Sequence, residues 1–207
     1  MSGTAIASPW KKAPERRHER ELKREAVLMA AARVFSERGY HRTSLDAVAQ
    51  TLNVTKPTLY YYFENKEAML AACVQHGLDL VEAGGGAEPA NGATGMARLV
   101  AYLTRYAEVS ETDFGRCAVR ISDAELSEAS RKRVRRIKTG IDRRIRDLIS
   151  AGITDGSIAP SDPKITAFAL AGALNSIGRS HQRDADLTGP KMIGQYIALL
   201  VNGIAPR

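Results

Sequence analysis

The chain is poor in the features that mark disulfide-rich, metal-binding or membrane proteins. Its 207 residues include only two cysteines, Cys73 and Cys117, which do not form a CxxC pair. This indicates neither a disulfide framework nor a zinc knuckle, and it is typical of reduced thiols. The most apolar later segment, residues 165–174, is too short to cross a membrane, and the N-terminal region lacks an apolar stretch of signal-peptide length. We therefore expect a soluble, cytoplasmic protein with no membrane partner.

Catalytic motifs are missing as well. The four histidines are scattered along the chain, and the sequence contains no HExxH motif, no phosphate-binding loop and no nucleophile elbow. We therefore predict that the protein is not an enzyme and has no catalytic residues, no metal site and no cofactor. One chemical alternative stays open, a thiol-based redox-sensing regulator that uses Cys73 or Cys117.

Positive charge, in contrast, is abundant. Lysine and arginine number 30 against 23 acidic residues, which gives a net charge of +7 and an isoelectric point near 9.6. Such a balance favours a polyanionic partner, nucleic acid in particular. The hydrophobic fraction of 44% is that of an ordinary globular protein.

Apolar residues recur at helical spacing along most of the chain. No convincing alternating pattern of strands is present, so we predict an all-α fold with about nine helices. Residues 1–19 mix proline with charged residues and lack an apolar stripe, which predicts a flexible basic arm. The first helices then occupy residues 20–66. Residues 67–207 contain the remaining helices, with a glycine-rich connection at 84–95.

The stretch NVTKPTLYYYFENK, residues 53–66, combines strand-favouring residues with a helical neighbourhood. A strand here would lack a partner strand and would need Pro57 at a sheet edge, whereas proline fits the first turn of a helix. Just before it, the Thr43 hydroxyl and Asp46 form a capping pattern for a helix that ends at Leu52. The sequence therefore predicts a helix-turn-helix, with its second helix over residues 56–63.

The side chains of that second helix divide into two sets. Leu59 and Phe63 lie four residues apart and are expected to face the core. The three tyrosines at 60–62 are about 100° apart around the helix, so at least two hydroxyl groups are expected to face outward. A helix of this kind can enter the major groove of DNA, with Lys56 and Thr58 near base edges or phosphates.

The run TSLDAVAQTLNVTKPTLYYYFENK and the preceding AARVFSERGY resemble the DNA-binding region of the tetracycline-repressor (TetR) family. The resemblance covers residues 22–70 and implies a homodimeric regulator, most often a repressor, on a palindromic operator of double-stranded DNA. It implies phosphate contacts at Ser44, Thr58, Tyr60, Tyr62 and Lys66, and base contacts at Thr43, Lys56, Pro57 and Tyr61.

A second resemblance concerns the C-terminal part. The run DPKITAFALAGALNSIGRSHQ and the final helix look like the end of TetR-family members that respond to acyl-CoA, fatty acids or steroids. This implies a ligand-binding and dimerisation domain over residues 67–207, with a small-molecule effector bound among its central helices. The candidate ligand-binding residues are Tyr102, Tyr106, Phe114, Cys117, Asn175, Arg179 and His181.

Two surface patterns leave alternatives open. The small residues Ala169, Gly172, Ala173 and Ser176, with the apolar set Ile193, Tyr196, Ile197 and Leu200, suit either a dimer interface or an intramolecular core. The long helix predicted over residues 127–151 has a basic face, which suits either a solvated surface or an anion site. Its cations are Arg131, Lys132, Arg135, Arg136, Arg143 and Arg146.

Overall fold

The computed structural model describes residues 13–83, 92–122, 124, 126–180 and 189–204, and within these ranges it contains nine α-helices and no β-strand. The predicted all-α fold is therefore confirmed. In chain order the helices are α1 (Ala13–Arg38), α2 (Leu45–Thr51), α3 (Lys56–Tyr60), α4 (Lys66–Ala83), α5 (Gly95–Ser110), α6 (Asp113–Arg120), α7 (Glu128–Thr154), α8 (Pro163–Ser180) and α9 (Pro190–Asn202).

Helix α1 begins earlier than predicted. It starts at Ala13, so residues 13–19 are helical and do not belong to a flexible arm. These residues lack an apolar stripe because that turn faces solvent, but they are rich in the good helix formers Arg and Glu. An ion pair of 2.7 Å between Glu19 and Lys23, one turn apart, adds further support. The rest of the predicted arm, residues 1–12, lies outside the described residues.

The caps around α2 also differ from the predicted pattern. Thr43 does not cap α2, because its hydroxyl donates to the Gly39 carbonyl at the end of α1, at 2.9 Å. Ser44 is the N-cap instead, and its Oγ accepts from the Ala47 N–H at 3.1 Å. Asn53, in the turn before α3, adopts a left-handed φ of 53°, a conformation that asparagine tolerates better than most residues.

Helix α3 is shorter than the predicted span of 56–63. It ends at Tyr60, and Tyr61 is its C-cap, with an N–H that bonds to the Pro57 and Leu59 carbonyls. The N–H groups of Tyr62 and Phe63 both bond to the Leu59 carbonyl, at 3.0 Å, which tightens the chain into a turn. Residues 61–63 therefore form a tight turn after α3 and do not continue the α-helix.

The buried side chains form two apolar clusters. The first joins α1, α2, α3 and most of α4 to α6 and to the start of α7, and includes Phe35, Leu59 and Val134. The second joins α5, α8, α9 and the rest of α7, and includes Leu103, Ile145 and Leu174. Helix α7 thus contributes to both clusters and connects the helix-turn-helix to the C-terminal helices.

The packing of α8 and α9 places part of the predicted set in the core, whereas Ala169 and Gly172 are exposed. Ile193 and Ile197 are buried in the second cluster of the same chain, and the Tyr196 hydroxyl lies 2.9 Å from Ser176 Oγ. These residues therefore belong to the intramolecular core.

Helix α8 begins as predicted, since the Asp162 carboxylate accepts from the Lys164 N–H at 2.7 Å and Pro163 is the first helical residue.

Glycine allows α5 and α7 to approach each other at one point. A Cβ on Gly95 would lie 2.2 Å from the backbone nitrogen of Gly152, far inside van der Waals contact. The Gly95 N–H donates to the Asp155 carboxylate at 2.6 Å, just beyond the end of α7. The two helices therefore touch through their backbones. A steric clash at this point could not be relieved by rotating a side chain, so one helix would have to move as a whole.

Two glycine substitutions should have opposite effects on stability. Gly95→Ala should lower the free energy of unfolding by about 1–3 kcal/mol, because the added methyl group collides with the backbone of α7. Gly140→Ala, on the exposed face of α7, should raise it by about 0.5–1 kcal/mol, because the nearest atom to the new Cβ is 3.9 Å away. Urea unfolding followed by circular dichroism measures both. Equal effects would contradict the close approach.

Candidate DNA-binding and effector sites

The segment after Lys56 presents two kinds of aromatic side chain. Leu59 and Phe63 are buried, at 0% and 6% exposure, which confirms them as the inward pair. Tyr60 and Tyr61 are 49% and 63% exposed, whereas Tyr62 is half-buried against the first cluster. The core thus fixes residues 56–63, which we call the recognition segment, from one side, and two hydroxyl-bearing rings project from the other.

Tyr61 is held by its neighbours although it is exposed. Its ring meets the Tyr62 ring edge to face at 5.0 Å, and the Arg20 guanidinium lies over it at 5.2 Å. One turn along α1, Arg24 lies over the Phe63 ring at 4.8 Å. The first half of α1 therefore places two cations beside the recognition segment, a contact that the sequence analysis did not include.

Lys56, at the start of α3, is paired with an acid on α2. Its Nζ lies 3.0 Å from Asp46, and this hydrogen bond raises the pKa of Lys56. Both side chains are substantially exposed, so solvent screens the pair and the ammonium can exchange Asp46 for another anion at little cost. Pro57 is exposed beside it, and the Thr58 hydroxyl lies 3.1 Å from that of Thr55.

Thr43 does not fit its predicted role. Its side chain is buried, at 3% exposure, and its hydroxyl bonds to carbonyls at the end of α1. A base contact at this position would require the cap of α1 to open. Ser44, the next residue, is exposed at the N-terminus of α2 and keeps a free path to solvent.

The start of α4 joins the recognition segment to two other elements. The Lys66 ammonium lies over the Tyr40 ring at 4.1 Å, which fixes it near the end of α1. The neighbouring Glu67 carboxylate accepts from the Ser127 N–H at 2.9 Å, and also from the Ser127 and Ser130 hydroxyls. These hydrogen bonds lower the pKa of Glu67, so the contact persists as a carboxylate at neutral pH.

A cavity of about 180 Å³ lies among the central helices. Aliphatic side chains and two glycines form most of its wall, and Tyr106 and Asn175 form a polar edge where the tyrosine hydroxyl donates to the Asn175 carbonyl oxygen at 2.5 Å. Helices α4 to α8 all contribute. The lining includes Val74, Gly77, Leu78, Val81, Val109, Ser110, Gly115, Ala118, Val119, Ile141 and Ala171.

Tyr106 and Asn175 are the two predicted ligand-binding residues that line this cavity. Tyr102 points away from it, toward Glu82 at 3.2 Å, and burial raises the pKa of its hydroxyl. Phe114 is buried against His76, with ring centroids 4.4 Å apart, and Cys117 lies by a separate hollow near Tyr40. The Arg179 side chain and His181 lie outside the described part of the chain.

The sequence prediction missed Lys138 and Asp142, which also line the cavity. They lie on α7 beside Ile141, one turn apart, so they occupy the border between its apolar stripe and its basic face. A lysine and an aspartate four residues apart at such a border are a signal that the sequence does contain. It is a weak signal, because the same spacing is common on solvated helix faces.

Both cysteines are free and buried, and they are neighbours across α4 and α6. The Cys117 thiol and burial together raise the pKa of Cys73, and the Cys73 thiol lies 3.7 Å from the Leu28 carbonyl. A raised pKa and burial both disfavour the thiolate, the form that reacts with oxidants. The geometry thus gives no support to the redox alternative.

Among the described residues there is no group of three or more histidine, cysteine or acidic residues able to hold a metal ion. No helix in the described ranges is both long and apolar enough to traverse a bilayer.

An apolar face on α8 and α9 remains exposed to solvent, and its large side chains are Ile165, Phe168 and Leu199, at 68%, 80% and 72% exposure.

Comparison with known proteins agrees with this geometry. Residues 27–73 match the family model for bacterial regulatory proteins of the tetR family, and residues 92–204 match the tetracyclin repressor-like C-terminal domain. The regulator RutR of Escherichia coli is 41% identical over 58 residues, a segment that covers 28% of this chain and 27% of RutR. The matched segment thus spans little more than a quarter of that relative.

Solved structures extend the likeness over the whole fold. AibR in complex with isovaleryl coenzyme A and operator DNA has a TM-score of 0.74 at 24% identity, covering 89% of this chain and 98% of AibR. FadR from Bacillus subtilis in complex with stearoyl-CoA has a TM-score of 0.69 at 19% identity, covering 87% and 98%. With both family models matched in their expected order, the chain belongs to the TetR family of DNA-binding transcriptional regulators.

Proposed function

We propose that this chain is a repressor that binds a palindromic operator as a two-fold dimer and leaves it when a small acyl compound occupies the central cavity. The observation that carries the proposal is the course of α4. Lys66 and Glu67 form its first turn beside the recognition segment, while Val74, Gly77 and Val81 on the same helix line the cavity. Such a regulator acts on chromosomal DNA, so we place it in the bacterial cytoplasm.

The proposed DNA surface consists of the exposed polar side chains around α3. Because Thr43 is buried, we leave it out and assign the base contacts to the exposed end of the segment. Tyr61 is the strongest of these, since it is the most exposed tyrosine and two neighbours fix its ring. Lys56 and Pro57 are the other base contacts, and Ser44, Thr58, Tyr60, Tyr62 and Lys66 are the phosphate contacts.

Paired tyrosine substitutions separate base contact from phosphate contact. Tyr61→Ala should weaken binding to the operator by about 5- to 150-fold, or about 1–3 kcal/mol, and leave binding to a scrambled duplex almost unchanged. Tyr60→Ala, the matched control, should weaken both complexes by a similar factor, because a phosphate contact carries no sequence information. Gel shifts on both duplexes measure this. If Tyr61→Ala keeps full operator specificity, the proposed recognition surface is wrong.

The dimer is proposed to form through the exposed apolar face of α8 and α9. Phe168 and Leu199 would otherwise remain in water, and the exposed Gly172 nearby lets a second helix approach closely. A second copy of the same face covers these side chains under two-fold symmetry. The two recognition segments then lie on one side of the dimer, as a palindromic operator requires.

A charge in this face should separate the two subunits. Phe168→Glu replaces an apolar contact with a buried carboxylate in each protomer, at a cost of several kcal/mol, so the protein should sediment as a monomer at micromolar concentration. Met29→Glu, at an apolar position on α1 that is 51% exposed, is the matched control and should remain dimeric. Sedimentation equilibrium distinguishes them. A dimeric Phe168→Glu protein with native circular dichroism would place the interface elsewhere.

The size and lining of the cavity support a short acyl group as the effector moiety. Its volume of about 180 Å³ is near the cavity of about 150 Å³ that holds a benzene molecule, so it accepts a handful of carbon atoms. The apolar wall suits a branched aliphatic chain, and the Tyr106–Asn175 edge can bond to a carbonyl oxygen. Among the similar structures, AibR holds isovaleryl coenzyme A, whose acyl group has this size.

Acyl chain length should therefore decide which compounds release the operator. Isovaleryl-CoA should dissociate the complex at micromolar concentration, whereas stearoyl-CoA should not, because its eighteen-carbon chain exceeds the cavity. Ala171→Leu should abolish the isovaleryl-CoA response by filling the cavity, with operator binding intact. Ala83→Leu, an exposed position on α4, is the control and should respond normally. Fluorescence anisotropy of labelled operator reports each case, and release by stearoyl-CoA alone would contradict the size limit.

A further inference from the structure

The first two turns of α7 carry a dense group of cations that the proposed DNA surface does not include. Of the residues 131–136, all but Val134 are lysine or arginine. Arg131 is half-buried and the other four cations are exposed. Lys132 pairs with Glu128 at 2.6 Å, but both of those side chains are more than 70% exposed, so water screens the pair. We call residues 131–136 the α7 cationic segment.

This segment is fixed to the DNA-binding part of the molecule. The Glu67 carboxylate, next to the proposed phosphate contact Lys66, receives hydrogen bonds from the Ser127 backbone and from the Ser127 and Ser130 hydroxyls. The start of α7 therefore lies within one side-chain length of the start of α4. Arg131 follows directly, and it also donates to the Leu126 carbonyl at 3.2 Å, which orders the turn before the helix.

The buried side of α7 also attaches this segment to the DNA-binding part of the molecule. Leu126, Val134 and Ile137 belong to the apolar cluster that contains Leu59 and Phe63 of the recognition segment. The later half of α7 belongs to the other cluster, through residues such as Ile145 and Leu148. The α7 cationic segment thus packs on the same apolar cluster as the helix-turn-helix, whereas the exposed Arg143 and Arg144 lie on the part of α7 that packs on the second cluster.

We propose that the α7 cationic segment binds the phosphate backbone of operator DNA beside the base pairs that the recognition segment contacts. The proposal rests on the DNA-binding function and extends its surface. Charge complementarity supports it, because arginine presents a planar fork that matches phosphate oxygens. So does continuity with Lys66 through the Glu67 contacts. The same segment in each protomer of a dimer extends the contacted DNA outward at both ends of the operator.

A matched pair of double variants tests this proposal. Arg133→Ala/Arg136→Ala and Arg143→Ala/Arg144→Ala each remove two exposed arginines from α7, but only the first pair lies in the α7 cationic segment. The plot of log K against log salt concentration should flatten by about two to four for the first variant, since each phosphate contact contributes about 0.9 and a dimer loses up to four. The second variant should keep nearly the wild-type slope.

Duplex length supplies a second readout. The wild-type protein should bind a duplex with flanks of about ten base pairs, one helical turn, more tightly than a duplex trimmed to the palindrome, and Arg133→Ala/Arg136→Ala should bind both alike. Equal slopes for the two double variants would overturn the proposal, and so would a wild-type protein indifferent to flank length. Either result would still be compatible with specific binding of the operator by the recognition segment. A wild-type protein that binds the operator no more tightly than a scrambled duplex would overturn the proposed DNA-binding function as well.

Glu67→Ala tests the positioning of the segment. Removal of an anion near DNA should by charge alone tighten binding, but it also unties the start of α7 from α4. We expect operator affinity to fall several-fold for the flanked duplex and to change little for the trimmed one. Tighter binding to the flanked duplex would overturn the role of Glu67 in holding the cations against DNA.

Discussion

The structure depends on α4 being one uninterrupted helix that belongs to two sites. Its first turn stands beside the recognition segment, and its middle turns wall the cavity. Its 18 residues span about 27 Å at 1.5 Å per residue, and a hydrogen-bonded helix of that length transmits a displacement along its axis. Because Met69, Leu70 and Val74 pack in the cluster that holds Leu59 and Phe63, a tilt of α4 cannot leave the recognition segment in place.

A second connection runs through α6. Gly115, Ala118 and Val119 form part of the cavity wall, and the same helix is bonded to α1, where Ser36 Oγ donates to the Asp113 carboxylate at 2.8 Å and Arg120 donates to the Ser36 carbonyl. A ligand that pushes α6 outward therefore acts on α1 as well as on α4. Linkage then follows: whatever binds better to one arrangement of these helices lowers the affinity of a partner that needs the other.

The sequence predicted most of this fold because its signals are local. Apolar spacing and the Asp162–Pro163 start each specify an element without knowledge of its neighbours, whereas most of the predicted glycine-rich connection, residues 84–91, lies outside the described residues. Predictions failed where two elements compete for one group. Thr43 is a good N-cap by type, but the carbonyls of α1 take its hydroxyl. Helix α1 extends to Ala13 without an apolar stripe, since the side chains of residues 14–18 are exposed to solvent.

The sites show the same division. The inward pair Leu59 and Phe63 follows from helical periodicity, so it was predictable, whereas the lining of the cavity depends on how five helices cross and was predictable only at Tyr106 and Asn175. The position of an arginine along α7 also decides which apolar cluster it lies beside. Arginines that are alike in type and exposure lie beside two different apolar clusters: Arg133 and Arg136 beside the cluster of the recognition segment, and Arg143 and Arg144 beside the cluster of the C-terminal helices. In the proposed mechanism the α7 cationic segment adds affinity beside the recognition segment, and release comes from a change in the spacing of the two recognition segments of a dimer.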